Sequence, residues 1–428
     1  MVFEEEESHW HPRRRCSCNS CSTKHYIGLG PMWSSPLAII SAAVVAICMA
    51  VSVVLLPGGD AGRLEPAMDR TFYDQIRGVL YNEEKSPTDS APSPPVSLPL
   101  SSQTLPNINR PVEVEGWPNS PIPRLGQVSG VAINTVGQPV IFHRGSRVWD
   151  EKSFNETYHY QHVEEGPILS STIVTLSPET GEVLSSWGAG FFYMPHGITV
   201  DHQGNVWVTD VALHQVFKFS PGALRPSLTF GKRFENGKGY RTLCQPTSVA
   251  IASGGDIFIA DGYCNSRVLK YSSRGELLRV FPHANEFLSL QVPHSLALLE
   301  ERDLICIADR EDMRVVCRGA ELSEKGKSQA PLTIQEPDLG RVYAITNHGD
   351  LIYAVNGPTS PLIPVRGFTI NPMTESIVDH WKLSKDVLNQ VPHDIAVSED
   401  GLSLYVASIF PNRIAKYTMA SVVPLKSE

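Results

Sequence analysis

The chain has 428 residues, with 45 acidic against 36 basic side chains and a formal net charge of -9. A sequence pI near 5.9, with no basic run in the repeated part of the chain, excludes nucleic acid as the partner. Length alone suggests two domains, but the internal repeat described below occupies a single one.

Residues 1–36 are polar and irregular, with acidic Glu4 to Glu7, basic Arg13 to Arg15, and Cys16, Cys18 and Cys21. Those three cysteines resemble metal-ligand spacing, yet beside an apolar segment they fit acylation sites or plain reduced thiols equally well. Residues 37–56 carry no charge and no proline, and are long enough to cross the ~30 Å hydrocarbon core of a bilayer. Arg13 to Arg15 and Lys24 precede this segment and acidic residues follow it, so the N-terminus is expected in the cytoplasm and the remainder in the lumen. The segment directs the chain to the secretory pathway, and a secreted or vesicle-lumenal protein is expected, with GGDAG at residues 58–62 as a cleavage site and Met32 as a second start that gives a signal peptide of ordinary length. The alternative is a retained single-pass type II anchor. Residues 57–115 hold a short expected helix over 69–82 and then KSPTDSAPSPPVSLPLSS, whose Pro and Ser content cannot bury a core. They form a linker to a domain over 116–420, which is followed by a short tail, 421–428.

That domain is built on a repeat. PHGITV at Pro195 returns as PHSLAL at Pro293 and PHDIAV at Pro392, and QPTSVAI at Gln245 is a further copy with Thr247 in the histidine position. The period is about 49 residues, which signals a β-propeller of four-stranded blades. A second strand follows each copy, as GNVWVTD, GDIFIAD, RDLICIAD and GLSLYVAS, and a third follows as HQVFKF, SRVLKY, MRVVCR and NRIAKY. An earlier unit, SGVAIN with VIFHRG and SRVW, opens at Ser129, and a degraded one, RVYAIT with DLIYAVNG, runs from Arg341. The fold predicted is all-β, a six-bladed propeller with histidines on alternate blades.

Residues at one position of alternate blades lie about 120° apart around the axis of such a ring. His196, His294 and His393 therefore converge on the channel. Three histidines with nothing further form the open arrangement of a catalytic zinc, whereas structural zinc sites close with four ligands. The turn between the second and third strands lies on the same face and brings Tyr263, Arg310 and Arg144 there. Guanidinium groups suit an anionic substrate, and a phenol among cations suits a base. Asp210, Asp261 and Asp309 recur by blade and are expected to cap turns. His143, His202 and His214 lack the repeated context and read as packing or surface residues.

Four cysteines, Cys244, Cys264, Cys306 and Cys317, fall in the lumenal part; an even number there suggests disulfides, with three pairings open and the local pairs preferred. Asn155, in the sequence NET, is the acceptable N-glycosylation site.

Taken in order, SGVAIN, VIFHRG, MPHGITVDHQGNVWVTDVALHQVFKF, CQPTSVAI, DGYCNSRV, VPHSLAL, ADRED and VPHDIAVSEDG closely resemble the peptidyl-α-hydroxyglycine α-amidating lyases over residues 115 to 420. The resemblance implies a zinc-dependent enzyme that cleaves the N–Cα bond of peptides ending in α-hydroxyglycine, giving a peptide amide and glyoxylate. It implies zinc on His196, His294 and His393, Tyr263 as base, and Arg144 and Arg310 on the substrate. It also implies a structural calcium on the backbone carbonyls of Val131 and Ile198 and the carboxylate of Asp394, with disulfides Cys244–Cys264 and Cys306–Cys317. Such NHL-type propellers are expected to act as monomers.

Two departures matter. Val391 stands where the family often has methionine before Pro-His, and the copper monooxygenase joined to the lyase in bifunctional relatives is not found here, so glycine hydroxylation is expected from a separate protein. Two other readings compete: a calcium-dependent propeller hydrolase such as a lactonase, and a non-enzymatic extracellular propeller that binds a protein partner.

Overall fold

Short β-branched and aromatic runs punctuated by Gly, Asp and Asn turns bury both faces only if sheets stack face to face. The protein does this radially. A computed structural model describes residues 109–421 apart from 121, 123–124, 284–285, 287 and 385–389. The expectations for residues 1–36, 37–56 and 69–82, for the Pro/Ser-rich stretch 85–102, and for 422–428 lie outside the described residues.

Six antiparallel four-stranded sheets follow one another along the chain. Blade 1 begins with Val128–Ile133, blade 2 with Pro195–Val200, blade 3 with Ser248–Ile251, blade 4 with Pro293–Leu299, blade 5 with Val342–His348 and blade 6 with Val391–Val397. These are the inner strands. Each neighbours the next, and blade 6 returns to blade 1.

Strand alternation supplies the glue. In Ile257–Asp261, Ile257 and Ile259 pack with blade 2 while Phe258 and Ala260 pack with blade 4, as a period of two requires. An apolar cluster fills each joint between consecutive blades. Phe142, Phe192, Phe258 and Phe368 are fully buried in these joints, each contributing about 1.5–3 kcal/mol.

Two strands differ from expectation. Asn109–Glu113, expected to be linker, pairs with Asn412–Ser421 and is the outer strand of blade 6, so an early segment closes the ring. SRVW at residues 146–149 is not a strand; the third strand of blade 1 is Ile173–Leu176. The intervening residues form an insertion on the site face that breaks the repeat period. Trp149 packs against the apolar cluster between blades 1 and 2 and also meets the rings of Tyr263 and His196. Blade 5, degraded in sequence, is complete, with Gly367–Asn371 and Ser376–Trp381 as its outer strands.

Candidate functional site

His196, His294 and His393 stand near the start of the inner strands of blades 2, 4 and 6, each buried. Their ring centroids lie 4.8, 4.7 and 4.9 Å apart in a near-equilateral triangle. One nitrogen from each ring lies within 4.8 Å of the others.

The blades between them orient the rings. His196 Nδ1 faces the carbonyl of Thr247 at 2.9 Å, His294 Nδ1 that of Tyr343 at 2.5 Å, and His393 Nδ1 that of Ser129 at 2.7 Å. Thr247, Tyr343 and Ser129 open the inner strands of blades 3, 5 and 1, where the other blades carry histidine. A carbonyl only accepts, so each Nδ1 must carry the proton, and each Nε2 presents a lone pair to the axis. Close approach makes this possible: a Cβ at Gly197 would lie 2.3 Å from the Thr247 carbonyl oxygen.

Three inward lone pairs need donors. The Tyr263 hydroxyl is 3.0 Å from Nε2 of both His196 and His294, but it has one proton and can donate to one of them. Protonating the rings is no remedy. Burial, then the charges of neighbouring groups, lowers the pKa of His196 and His294 well below the ordinary value, and burial followed by Arg144 lowers His393 to about 3. A cation that accepts imidazole ligands satisfies all three lone pairs, and this donor set fits zinc.

Tyr263 is carried on a turn of blade 3 held against blade 4; a Cβ at the preceding Gly262 would lie 2.4 Å from the Pro293 carbonyl oxygen. On its other side, Cys264 is bonded to Cys244. Arg310 stacks between the rings of Tyr263 and Tyr343, its guanidinium carbon 5.1 Å from each centroid. Its Nε and NH2 face the Glu311 carboxylate at 3.0 and 2.9 Å, and Arg341 holds the other oxygen of Glu311 at 2.9 Å. Arg310 is thus not paired with Asp309, which binds Arg314 instead. Burial works against the Arg310 charge, but Tyr263, Tyr343 and Glu311 outweigh it and raise its pKa. Burial pushes the Tyr263 phenol up, while Arg310 and Arg144 pull it down. Among the protein groups, burial outweighs the two arginines.

Arg144 donates from Nε to the Pro195 carbonyl at 2.9 Å and from NH1 to Gln127 Oε1 at 2.7 Å. Its NH2 is buried without a partner among the described residues, a donor left for an anion. Burial lowers its pKa to about 10, so the charge persists at neutral pH.

Gln127, Trp149, Tyr343 and Glu311 were not legible as site residues. Tyr343 had a signal in its place in the repeat, equivalent to the histidines. Trp149 had none, because the insertion interrupts the period.

On the other side of the histidines the channel widens into a cavity of about 290 Å³ lined in part by Val131, Ile198 and Asp394. Asp394 is half-buried, and its oxygens accept the backbone N–H groups of Val131 and Ile395, each at 2.9 Å. Its carboxylate offers the oxygen donor that calcium prefers.

The recurring aspartates cap turns. Asp210 accepts N–H groups from Tyr193, Met194, Ala212 and Leu213, and Asp261 accepts from Cys244 and Arg267. His143 takes the same role in blade 1, with Nδ1 accepting the Gly145 N–H at 3.1 Å. His214 is also buried, and His202 is exposed. Cys306 and Cys317 are bonded across paired strands of blade 4. Asn155 is exposed in the blade 1 insertion, its Oδ1 accepting from Thr157 and His159.

The NHL repeat matches residues 192–219 and 243–271. The chain is 47% identical to peptidyl-alpha-hydroxyglycine alpha-amidating lyase 2 of Drosophila melanogaster, over 85% of this chain and 94% of that protein. It is 40% identical to the probable peptidyl-alpha-hydroxyglycine alpha-amidating lyase of Caenorhabditis elegans, over 69% of this chain and 83% of that one. Similarity to the Rattus norvegicus peptidylglycine alpha-amidating monooxygenase is 39% over 71% of this chain, but covers 31% of that longer protein.

Proposed function

The chain belongs to the peptidyl-alpha-hydroxyglycine alpha-amidating lyases and is an enzyme with lyase activity; from that premise we propose that it uses zinc to cleave peptides ending in α-hydroxyglycine into a peptide amide and glyoxylate. The observation that carries the zinc reading is the triangle of inward Nε2 lone pairs, each fixed by a neighbouring blade's carbonyl, with one phenolic proton to share among them.

His196, His294 and His393 would hold the ion, which supplies Lewis acidity toward the substrate hydroxyl and a positive charge that stabilises a phenolate. Arg144, through its free NH2, and Arg310 hold the terminal carboxylate and orient the hydroxyl toward Tyr263. Tyr263, entering as phenolate, takes the hydroxyl proton. As the C=O bond forms, the N–Cα bond breaks with its electron pair passing to nitrogen. Tyr263 returns its proton to that nitrogen, completing the amide. No water is consumed, and atoms balance between one substrate and two products.

Calcium on Asp394 and the carbonyls of Val131 and Ile198 would neutralise the half-buried carboxylate and brace the inner strands. The apolar segment 37–56 and the two disulfides support a secretory lumen, where Asn155 would be glycosylated. The substrate would come from a separate peptidylglycine monooxygenase.

The test is glyoxylate release by the purified chain from a synthetic peptide ending in α-hydroxyglycine, before and after chelation and zinc readdition. Chelator-sensitive glyoxylate with an equal amount of peptide amide supports the reading. A folded, zinc-loaded protein that releases neither would sink it.

A further inference from the structure

We propose that Trp149, on the blade 1 insertion, is a positioning residue for the lyase reaction, holding the Tyr263 phenol over the histidines; this rests on the function proposed above. The Tyr263 ring stands among His196, His294, Arg310 and Trp149, with centroids 5.4 and 5.7 Å from the two histidines. Arg310 covers it at 5.1 Å. Trp149 meets it at 4.9 Å with the rings tilted by 53°, and is the one neutral, non-ligating wall among these four. The contact links blades 1 and 3 across blade 2, because Trp149 also lies 6.1 Å from the ring of His196.

Trp149 is itself anchored. Its backbone N–H donates to Gln127 Oε1 at 3.0 Å, the same oxygen that accepts Arg144 NH1, and the Arg144 guanidinium lies 5.1 Å from its ring centroid. Phe154 packs on the indole at 5.2 Å and on Tyr160 at 5.5 Å, and Tyr160 reaches Tyr193 in the joint of blades 1 and 2. The insertion therefore carries a rigid aromatic chain from the core to the phenol. Without the indole, Tyr263 can rotate toward blade 1 and water can reach its oxygen. Arg144 would keep its bonds to Pro195 and Gln127, so carboxylate binding should suffer less than proton transfer.

The experiment measures glyoxylate release and bound zinc for the full chain and for Trp149→Ala, Trp149→Phe, Trp149→Leu, Tyr263→Phe and the double variant Trp149→Ala/Tyr263→Phe. With zinc retained, Trp149→Ala should lower kcat roughly 10- to 100-fold, with KM much less changed. Phe should recover most of the rate and Leu should not. The double variant should be no slower than Tyr263→Phe, since Trp149 acts through that phenol. Wild-type turnover by Trp149→Ala, equal rates for Phe and Leu, or losses that multiply in the double variant would each overturn the inference while leaving the lyase reading intact. If the Ala variant fails to fold, the Phe and Leu comparison decides alone. A wild-type chain without glyoxylate release removes the lyase reading and this inference together.

Discussion

His393 Nδ1 donates to the backbone carbonyl of Ser129 at 2.7 Å, across 264 residues of chain. This bond spans the joint between blade 6 and blade 1, the joint that the strand Asn109–Glu113 reinforces by completing blade 6. The third histidine is therefore oriented only when the ring has closed, so the histidine triangle and the fold report on each other. The same relationship, repeated between His196 and Thr247 and between His294 and Tyr343, gives the blades without histidine a function in the site.

Ligand and base are separable by mutation. His294→Ala leaves two histidines, too few for the open three-ligand zinc geometry, and should lose zinc and activity together. Tyr263→Phe keeps all three lone pairs, and should retain zinc while glyoxylate release falls about 10²- to 10⁴-fold, the usual contribution of a general base. Metal content measured alongside activity checks both. Turnover by Tyr263→Phe at the wild-type rate would take the phenol out of the proton-transfer step.

The glycine after His196 should be as demanding as the histidine. A methyl group at Gly197 would stand 2.3 Å from the Thr247 carbonyl oxygen, which must move, and His196 would lose the acceptor that fixes its tautomer. Gly197→Ala is expected to weaken zinc binding about 10- to 100-fold, as loss of a ligand's hydrogen-bond partner does, and to destabilise the fold by about 1–3 kcal/mol. Zinc titration of the apo protein and a thermal melt separate the two effects; unchanged zinc affinity would mean that the carbonyl does not orient the ring.

The histidine triangle was legible because three side chains of one type recur at one repeat position, and a propeller turns equal spacing into convergence. Tyr263, Arg144 and Arg310 were legible by the same logic, since the turn between second and third strands shares that face. The orienting carbonyls were not, because a backbone group leaves no mark in composition; Ser129, Thr247 and Tyr343 share neither size nor polarity. Trp149 was hidden by the insertion, which breaks the period and places in the site a residue that alternation assigns to a strand. The strand Asn109–Glu113 was hidden for another reason: three of its five residues, Arg110, Pro111 and Glu113, are charged or proline, as suits an outer edge.

The two disulfides should differ in what they protect. Cys264 follows Tyr263 and ties its turn to Cys244, whose N–H is held by Asp261 at 2.6 Å. Cys306 and Cys317 join two strands within blade 4, away from the phenol's turn. Replacing either pair should cost about 2–5 kcal/mol of stability in a denaturant melt. Only the Cys244→Ser/Cys264→Ser variant should also lower kcat at temperatures where it remains folded. Equal kcat for the two paired variants would show that the first disulfide does not position Tyr263.

Acid should weaken the fold through two histidines outside the histidine triangle. His143 and His214 are buried, and the Nδ1 of each accepts a backbone N–H, from Gly145 and from Gln245, both at 3.1 Å. Burial lowers both pKa values from 6.5 to about 4, with His159 contributing at His214. Between those values the unfolded chain binds protons that the folded chain does not, so stability rises with pH there. Each histidine's contribution is complete above pH 6.5, is lost progressively as pH falls toward about 4, and changes no further below that. The full effect is on the order of 3 kcal/mol for each residue. His214 has φ 55°, a backbone that asparagine tolerates, and an asparagine carbonyl can accept the same Gln245 N–H. His214→Asn should therefore melt nearly as the wild type does at pH 7.5 but show about half of its loss of stability from these two groups at pH 4.5. Parallel melting curves for the two proteins across that range would show that His214 is not one of the groups through which acid acts.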